Sequence, residues 1–315
     1  MRLVQAIDGF LLFKEAAGLR RTTIENYRYV LGTLFVDWRG DPPLDELTAD
    51  DINRFLLYLR TDYRPKRPGG DDGPLSSQSV YNAWVGLKSF VRWAHETLDI
   101  PDVMTGRVPR PRAANKEQYP FTEDEMKRLL TSIKPRKGAR ATSGLYYATD
   151  LRDLAIVMTL VDSGVRAREL CNLTIADVHL QSGQVTVVDG KGGKMRQVWI
   201  GAKTRAAVWR YLQERATIDP AAPLFSAEDD RPMNHRFLFR RLKIIGQRAD
   251  VANVNPHRFR YTFAVQYLRN GGDVFTLQRL LGHTTMAMVN RYLKLAQADL
   301  EQAHRRASPV DNWLK

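Results

Sequence analysis

The chain has 315 residues, 43% hydrophobic and 26% charged, which suits a soluble globular protein of two domains, with no apolar run near the roughly 20 residues of a membrane span. A single cysteine, Cys171, excludes an internal disulfide framework and fits a reducing compartment, and the amphipathic, acid-containing N-terminus lacks the small-residue cleavage site of a signal peptide. The net charge of +13 is uneven, with 13 basic against 15 acidic residues over 1–105, four against one over 106–118, and 31 against 19 over 119–315, a bias that points to a polyanionic partner, nucleic acid first.

Residues 1–105 read as four helices with short turns. Residues 3–17 form the first. Thr22-x-x-Glu25 is a capping box ahead of Ile24, Tyr27, Leu31, Leu34, Phe35 and Trp38 at helical spacing. Thr48-x-x-Asp51 opens a third helix with Ile52, Phe55, Leu56 and Leu59 inward. Residues 64–79 are a loop by composition, and Ser76 or Ser77 caps a fourth helix bearing Val80, Trp84, Leu87, Val91 and Ala94. This aromatic stripe reads as core rather than as a platform for stacked bases. Lys88 and Arg92 lie four apart away from that stripe, either as solvated charge or as a phosphate-contacting pair. Residues 101–120, with four prolines and four basic residues, are too proline-rich for a helix and basic enough to follow a phosphate backbone, so residues 106–118 form a basic linker.

A second domain, 119–315, opens with the capping signal Thr122-x-x-Glu125. Residues 134–144 are a basic loop, and 149–164 a strongly apolar helix stopped by Gly164. Arg166 heads the next helical segment, with Glu169 three residues on and within reach of its guanidinium. Residues 184–200 read as a hairpin whose two β-rich runs flank a Gly-Lys-Gly-Gly-Lys turn, with Lys191 at its tip or first strand end. The turn lacks the pattern of a P-loop. Residues 233–249 form a basic amphipathic helix carrying Arg240, Arg241 and Lys243. Two strands among many helices predict a mainly α protein.

The stretch from Asn255 to Tyr292 is the most informative. Asn255-Pro256 is a helix start and Asn270-Gly271 a stop. His257 and Arg260 share one face of the first turn, beside the free N–H groups and partial positive charge of the helix N-terminus, an arrangement suited to a phosphate. A second helix runs from Asp273 to Gly282, and a third begins near Thr284 or Thr285 and carries Tyr292 nine residues after His283. The two histidines lack further ligands at metal-binding spacing, so neither metal nor cofactor is expected.

Four pieces occur in order: Ser-Gly-Val-Arg166-Ala-Arg-Glu-Leu, Gly-Lys191-Gly-Gly-Lys, His257-Arg-Phe-Arg260, and Leu-Gly-His283 followed by Tyr292. Each is weak alone, but the ordered set resembles the tyrosine recombinase (phage integrase) family over essentially the whole chain. Two positions depart from the family pattern: Tyr261 stands where a second histidine is usual, and Tyr292 is not flanked by the commoner threonine and histidine. The resemblance implies a four-helix, SAM-like core-binding domain followed by a mostly helical catalytic domain with a small antiparallel sheet.

It also implies the chemistry, a transesterification at a DNA phosphodiester. Tyr292 attacks phosphorus to give a 3′-phosphotyrosine, and a 5′-hydroxyl of another strand later reverses the step. Arg166, Arg260 and His283 would hold the charge of the pentacoordinate transition state, Lys191 would protonate the leaving 5′ oxygen, His257 would help remove the phenol proton, and Glu169 would orient Arg166. Lys88, Arg92, Arg240, Arg241 and Lys243 are the expected DNA contacts. The expected partner is double-stranded DNA with inverted-repeat core sites, bound by a homotetramer in the synapse and by a monomer when free. The expected location is cytoplasmic, on the nucleoid, with no membrane. A type IB topoisomerase shares this chemistry, but the small N-terminal domain favours a recombinase. A DNA-binding regulator with a decayed site is disfavoured by the presence of all six catalytic residue types.

Overall fold

The computed structural model describes residues 1–65, 73–112, 119–133, 144–188, 195–215, 218–227, 231–296, 304 and 308–314. The chain divides into two compact units, Met1–Lys116 and Glu117–Lys315.

The first unit is built from four helical rods. These are α1 (Leu3–Ala16), a rod running from α2 (Arg21–Tyr27) through π-helical turns at Arg28–Phe35 into α3 (Val36–Arg39), α4 (Ala49–Thr61) and α5 (Ser77–Leu98). Local capping bonds start two of them. Thr48 Oγ1 accepts the Asp51 N–H at 3.1 Å while the Asp51 carboxylate accepts the Thr48 N–H at 3.0 Å, and Ser76 Oγ accepts the Ser79 N–H at 3.2 Å. The expected box at Thr22 is not used. That helix already begins at Arg21, and Glu25 instead pairs with Arg21 at 2.9 Å, one turn apart on the surface.

Phe10, Leu31, Phe35, Phe55, Leu87 and Phe90 are wholly buried at the centre of this unit, and Phe10 meets Phe90 edge to face at 5.7 Å. Each such side chain contributes roughly 1.5–3 kcal/mol of burial energy. Trp84 and Trp93 lie in the same cluster, so the aromatic stripe of α5 is core. Val103, Met104 and Val108 join it as well, which packs the head of the expected linker onto this unit. Arg110, just beyond, lies 4.9 Å over the Tyr81 ring and donates to its hydroxyl at 2.9 Å.

The second unit begins with α6 (Glu123–Ile133), capped reciprocally by Thr122 and Glu125. Its central element is α7 (Gly144–Ser163), where Ala155, Ile156, Val157 and Leu160 are buried together, since this helix is apolar on several faces. After α8 (Ala167–Asn172) comes a sheet of β1 (Val178–His179), β2 (Gln184–Val188) and β3 (Met195–Trp199), antiparallel in that order. The hairpin pairs Val188 with Met195 and Gln184 with Trp199. The sequence indicates two strands; the third, β1, is two residues long, too short to show alternation, and is held by pairing Val178 with Val185. Val185 and Val187 alternate into the core beside Val198.

Among the described residues the helices that follow are α9 (Ala202–Gln213), α10 (His235–Ala249), α11 (Pro256–Arg269), α12 (Val274–Leu281) and α13 (Ala287–Ala296). Gly282 ends α12 at φ 63°, and α13 starts at Ala287, slightly later than expected. A short C-terminal α14 (Pro309–Trp313) is capped by Ser308, while 297–303 and 305–307 lie outside the described residues. None of the described helices is long and apolar enough to cross a membrane.

Candidate active site

The site forms where α11, the turn before α8, strand β3 and the α12–α13 segment meet. Asn255 starts α11 by accepting the Arg258 N–H on Oδ1 at 3.0 Å, with Pro256 in the first turn. This start sets His257 and Arg260 on the first helical turn. Arg260 is buried, and its guanidinium donates from Nη1 to the Gly164 carbonyl at 2.6 Å and from Nη2 to the Leu281 carbonyl at 2.5 Å. Gly164 can present that carbonyl only as glycine. Its φ is +64°, and a Cβ there would lie 2.3 Å from the Phe263 ring. Burial, with Arg166 nearby, lowers the Arg260 guanidinium to about 10, which leaves it a cation at neutral pH.

Arg260 Nη2 also lies 3.1 Å from His283 Nε2. A guanidinium has no acceptor, so Nε2 accepts and the proton of the neutral ring sits on Nδ1. That Nδ1 is buried and has no hydrogen-bond partner among the described residues. Burial pushes His283 down to about 4, aided by the charges of Arg260, Arg166, Arg291 and Arg196. His257 is likewise lowered, by desolvation and then by Arg291 and Arg260, which favours the neutral imidazole.

Arg166 is the N-cap residue of α8, and Glu169 folds back on it. The carboxylate accepts the Arg166 backbone N–H at 2.7 Å and its Nη1 at 2.8 Å, while Nη2 reaches the Gly282 carbonyl at 3.5 Å. On the other side Arg196 donates to both oxygens of Glu169, at 2.9 and 2.6 Å. Burial opposes ionisation of Glu169, but the bonds and charge of Arg196, with those of Arg166, hold it at about 2. The sequence reading omits Arg196. Alternation along β3 carried the signal, because Arg196 shares the inward face with the buried Val198, and an inward arginine needs an anion.

Tyr292 has no solvent exposure. Its ring stacks on His283 at 6.1 Å and 10°, and tilts against Tyr261 at 5.1 Å. Tyr261, at the position where a histidine is usual, thus packs against the expected nucleophile. The phenolic oxygen accepts from Arg291 Nη2 at 2.9 Å, and the Arg291 guanidinium also lies over the ring. The sequence reading passes over Arg291 as well.

Arg166, Glu169, Arg260, His283 and Tyr292 therefore come together, with His257 within electrostatic range. Lys191 lies outside the described residues, in the segment joining the paired Val188 and Met195. Among the basic residues expected to meet DNA, Arg240 and Lys243 are exposed on α10. Arg241 is a correction. It turns inward and donates from Nε and Nη2 to Asp153, a buried carboxylate that also meets Arg152, because a carboxylate there must be neutralised. In the first unit Lys88 is exposed over the Trp84 ring at 5.0 Å, and Arg92 pairs with Glu96 at 2.8 Å. Among the described residues no three His, Cys, Asp or Glu side chains are grouped to hold a metal ion.

A helical bundle ahead of a mostly helical unit, with arginines and histidines gathered about one tyrosine, defines the class of strand-transferring DNA enzymes. Residues 120–299 match the phage integrase family and residues 7–99 its N-terminal SAM-like domain. The chain is 30% identical to the tyrosine recombinase XerA of Thermococcus kodakarensis, covering 98% of both chains. It is 35% identical to the tyrosine recombinase XerC of Pelobacter propionicus, covering 84% of this chain and 82% of that one. The Tn1549 transposon integrase in complex with a circular intermediate DNA has the same fold, with a TM-score of 0.71 at 19% identity, over 93% of this chain and 94% of the other. The chain belongs to the phage integrase family and is a site-specific tyrosine recombinase.

The depressed histidine makes a prediction about stability. The unfolded chain takes up the His283 proton near 6.5 and the folded one only near 4, so stability is full above 6.5 and falls as the pH drops through that window. Glu169 adds a separate loss lower down, between 4.5 and 2. Thermal melts of the DNA-free protein should therefore show a melting temperature that declines from pH 6.5 to 4, with a shallower decline in His283→Gln. An equal slope in both proteins would remove His283 as the source.

Proposed function

We propose that Tyr292 is the nucleophile of this recombinase, that Arg166, Arg260 and His283 bind the scissile phosphate, and that Lys191 and His257 move the protons. The packing of His283 between the Arg260 guanidinium and the Tyr292 ring carries this reading. Attack of the phenol oxygen on phosphorus forms a 3′-phosphotyrosyl ester and expels a 5′-hydroxyl. Because the bond energy stays in the ester, the reverse attack by another 5′-hydroxyl rejoins DNA without an external energy source.

What the protein must supply is a site for charge. The transition state gathers negative charge on its non-bridging oxygens, and two guanidiniums plus an imidazole N–H offer preorganised donors. The unpartnered Nδ1 of His283 suits an incoming phosphate oxygen. Neutral His257 is in the form that can accept a proton. In the free protein Tyr292 is buried, so α13 has to shift before the oxygen can meet phosphorus. Removing one such donor typically costs about 10²- to 10³-fold in rate.

The partner in this reading is double-stranded DNA with inverted core sites, contacted by exposed cations such as Arg240, Lys243 and Lys88, on the nucleoid. Assembly as a tetramer on two duplexes, from monomers when free, is supported by the C-terminal end. Val310, Trp313 and Leu314 are 58%, 80% and 82% exposed, which leaves apolar surface on α14 for a neighbouring copy.

Tyr292→Phe should bind DNA as the wild type does and form no covalent complex with a nicked suicide substrate on a denaturing gel. A surviving adduct would move the role to another residue, with Tyr261 and Tyr267 nearest. Lys191→Ala should fail on ordinary DNA yet cleave nearly normally when the bridging 5′ oxygen is replaced by sulfur, a leaving group that needs little protonation; no rescue by sulfur would end the general-acid assignment. Deleting residues 308–315 should spare binding to a single site and weaken cooperative assembly and recombination. Normal tetrameric synapses from the truncated chain would exclude the tail from assembly.

A further inference from the structure

Arg196 is a buried cation at this site to which the reaction scheme gives no task. Its side chain is 12% exposed, and all three of its guanidinium nitrogens are engaged: Nη1 and Nη2 on the two oxygens of Glu169, and Nε on the Leu280 carbonyl at 2.8 Å. One carboxylate therefore faces two guanidiniums, and it is the guanidinium of Arg196, not that of Arg166, that spans both oxygens, while Arg166 adds one guanidinium bond and its backbone N–H. Leu280 lies just before the turn that delivers His283. The Gly282 in that turn packs on the same arginine, where a Cβ would approach Arg196 Cδ to 3.1 Å and its Nε to 3.4 Å.

We propose that Arg196 is a positioning residue for both Arg166 and His283, one that keeps the Arg166 guanidinium from closing onto Glu169 and leaves it open toward the scissile phosphate. The inference rests on the reading of Arg166 as a phosphate-binding arginine. By gripping both oxygens of Glu169, Arg196 limits Arg166 to a single side-chain bond with that carboxylate, so its other N–H groups can serve a phosphate. Two guanidiniums and one carboxylate keep a net positive charge. Without Arg196, Glu169 and Arg166 are left as a neutral pair, and such pairs prefer two parallel hydrogen bonds. Arg166 then closes onto Glu169 and is lost to the phosphate, while the Leu280 carbonyl and the turn carrying His283 lose their anchor.

Single-turnover rates of covalent-complex formation test this on two suicide substrates. One is ordinary duplex DNA, and in the other a methyl group replaces one non-bridging oxygen of the scissile phosphate, which removes its charge. Each variant is compared with the wild type on the same substrate. Arg196→Met should bind DNA normally and react about 10- to 100-fold more slowly on the ordinary substrate, the scale of a misplaced catalytic group. Most of that deficit should disappear on the uncharged one, where the charge of Arg166 matters little. Adding Glu169→Gln to Arg196→Met should recover most of the rate on ordinary DNA, because a neutral amide no longer neutralises Arg166. Equal deficits on both substrates, or no recovery with Glu169→Gln, would make Arg196 a scaffold residue and overturn the proposal. If Arg196→Met does not fold, Arg196→Lys takes its place. It keeps the charge but not the fork, and should show a smaller deficit with the same dependence on substrate charge; equal loss on both again overturns the proposal. Arg166→Ala separates the two levels. If it keeps full rate on ordinary DNA, the phosphate-binding role of Arg166 falls. If it loses rate while the Arg196 variants do not share its substrate dependence, only the role of Arg196 falls.

Discussion

One buried carboxylate among several guanidiniums is the constraint around which the catalytic unit is arranged. A site for a phosphodiester must concentrate positive charge, and in the free protein that charge repels itself. Arg166, Arg196, Arg260 and Arg291 all act on His283, and Glu169 is the anion set directly between two of them. Burial works against its charge, yet the hydrogen bonds of Arg196 and Arg166 keep it ionised to about pH 2. The backbone helps as well, since the carbonyls of Gly164, Leu280, Leu281 and Gly282 each take a guanidinium N–H. Three of these belong to the end of α12, where a helix C-terminus offers free carbonyls and partial negative charge. The unit thus tolerates the cations without cancelling them.

The same balance explains the state of the two uncharged groups. His283 is kept neutral by burial and by the arginines, and it accepts from Arg260 while its remaining N–H lacks a partner among the described residues. Tyr292 is packed between aromatic rings and held by Arg291. Elsewhere in the unit other interior charges pair between helices. Asp153 with Arg152 and Arg241, and Glu125 with Arg258, fasten α7 to α10 and α6 to α11. An arginine count along α10 therefore overstates the cations available to DNA.

The N-terminal unit follows simpler physics and was correspondingly legible. Its helices bury one aromatic-rich stripe each, and the residues at helical spacing are those found at zero exposure, such as Leu31, Phe55 and Leu87. Where it departs from the pattern, a local competitor is responsible. Glu25 prefers Arg21 one turn away to the Thr22 box, and Val103, Met104 and Val108 leave a proline-rich segment to fill the core. Sequence periodicity misses such residues because isolated apolar side chains in a segment without regular spacing have no period.

By itself the sequence determined the helix starts at Thr48, Thr122, Asn255 and Asp273, because an N-cap is a hydrogen bond closed within three residues of chain. The order of the candidate catalytic residue types along the chain was legible as well. Only the tertiary structure decided how those side chains are shared. Arg196 meets Glu169 across 27 residues, Arg260 meets Gly164 across 96, and Arg241 meets Asp153 across 88. Neither the ring proton on His283 nor the burial of Tyr292 is written in any local spacing. Both follow from the need to satisfy charge and hydrogen bonds in a dry interior, and that need is met by whichever groups the fold brings within about 3 Å.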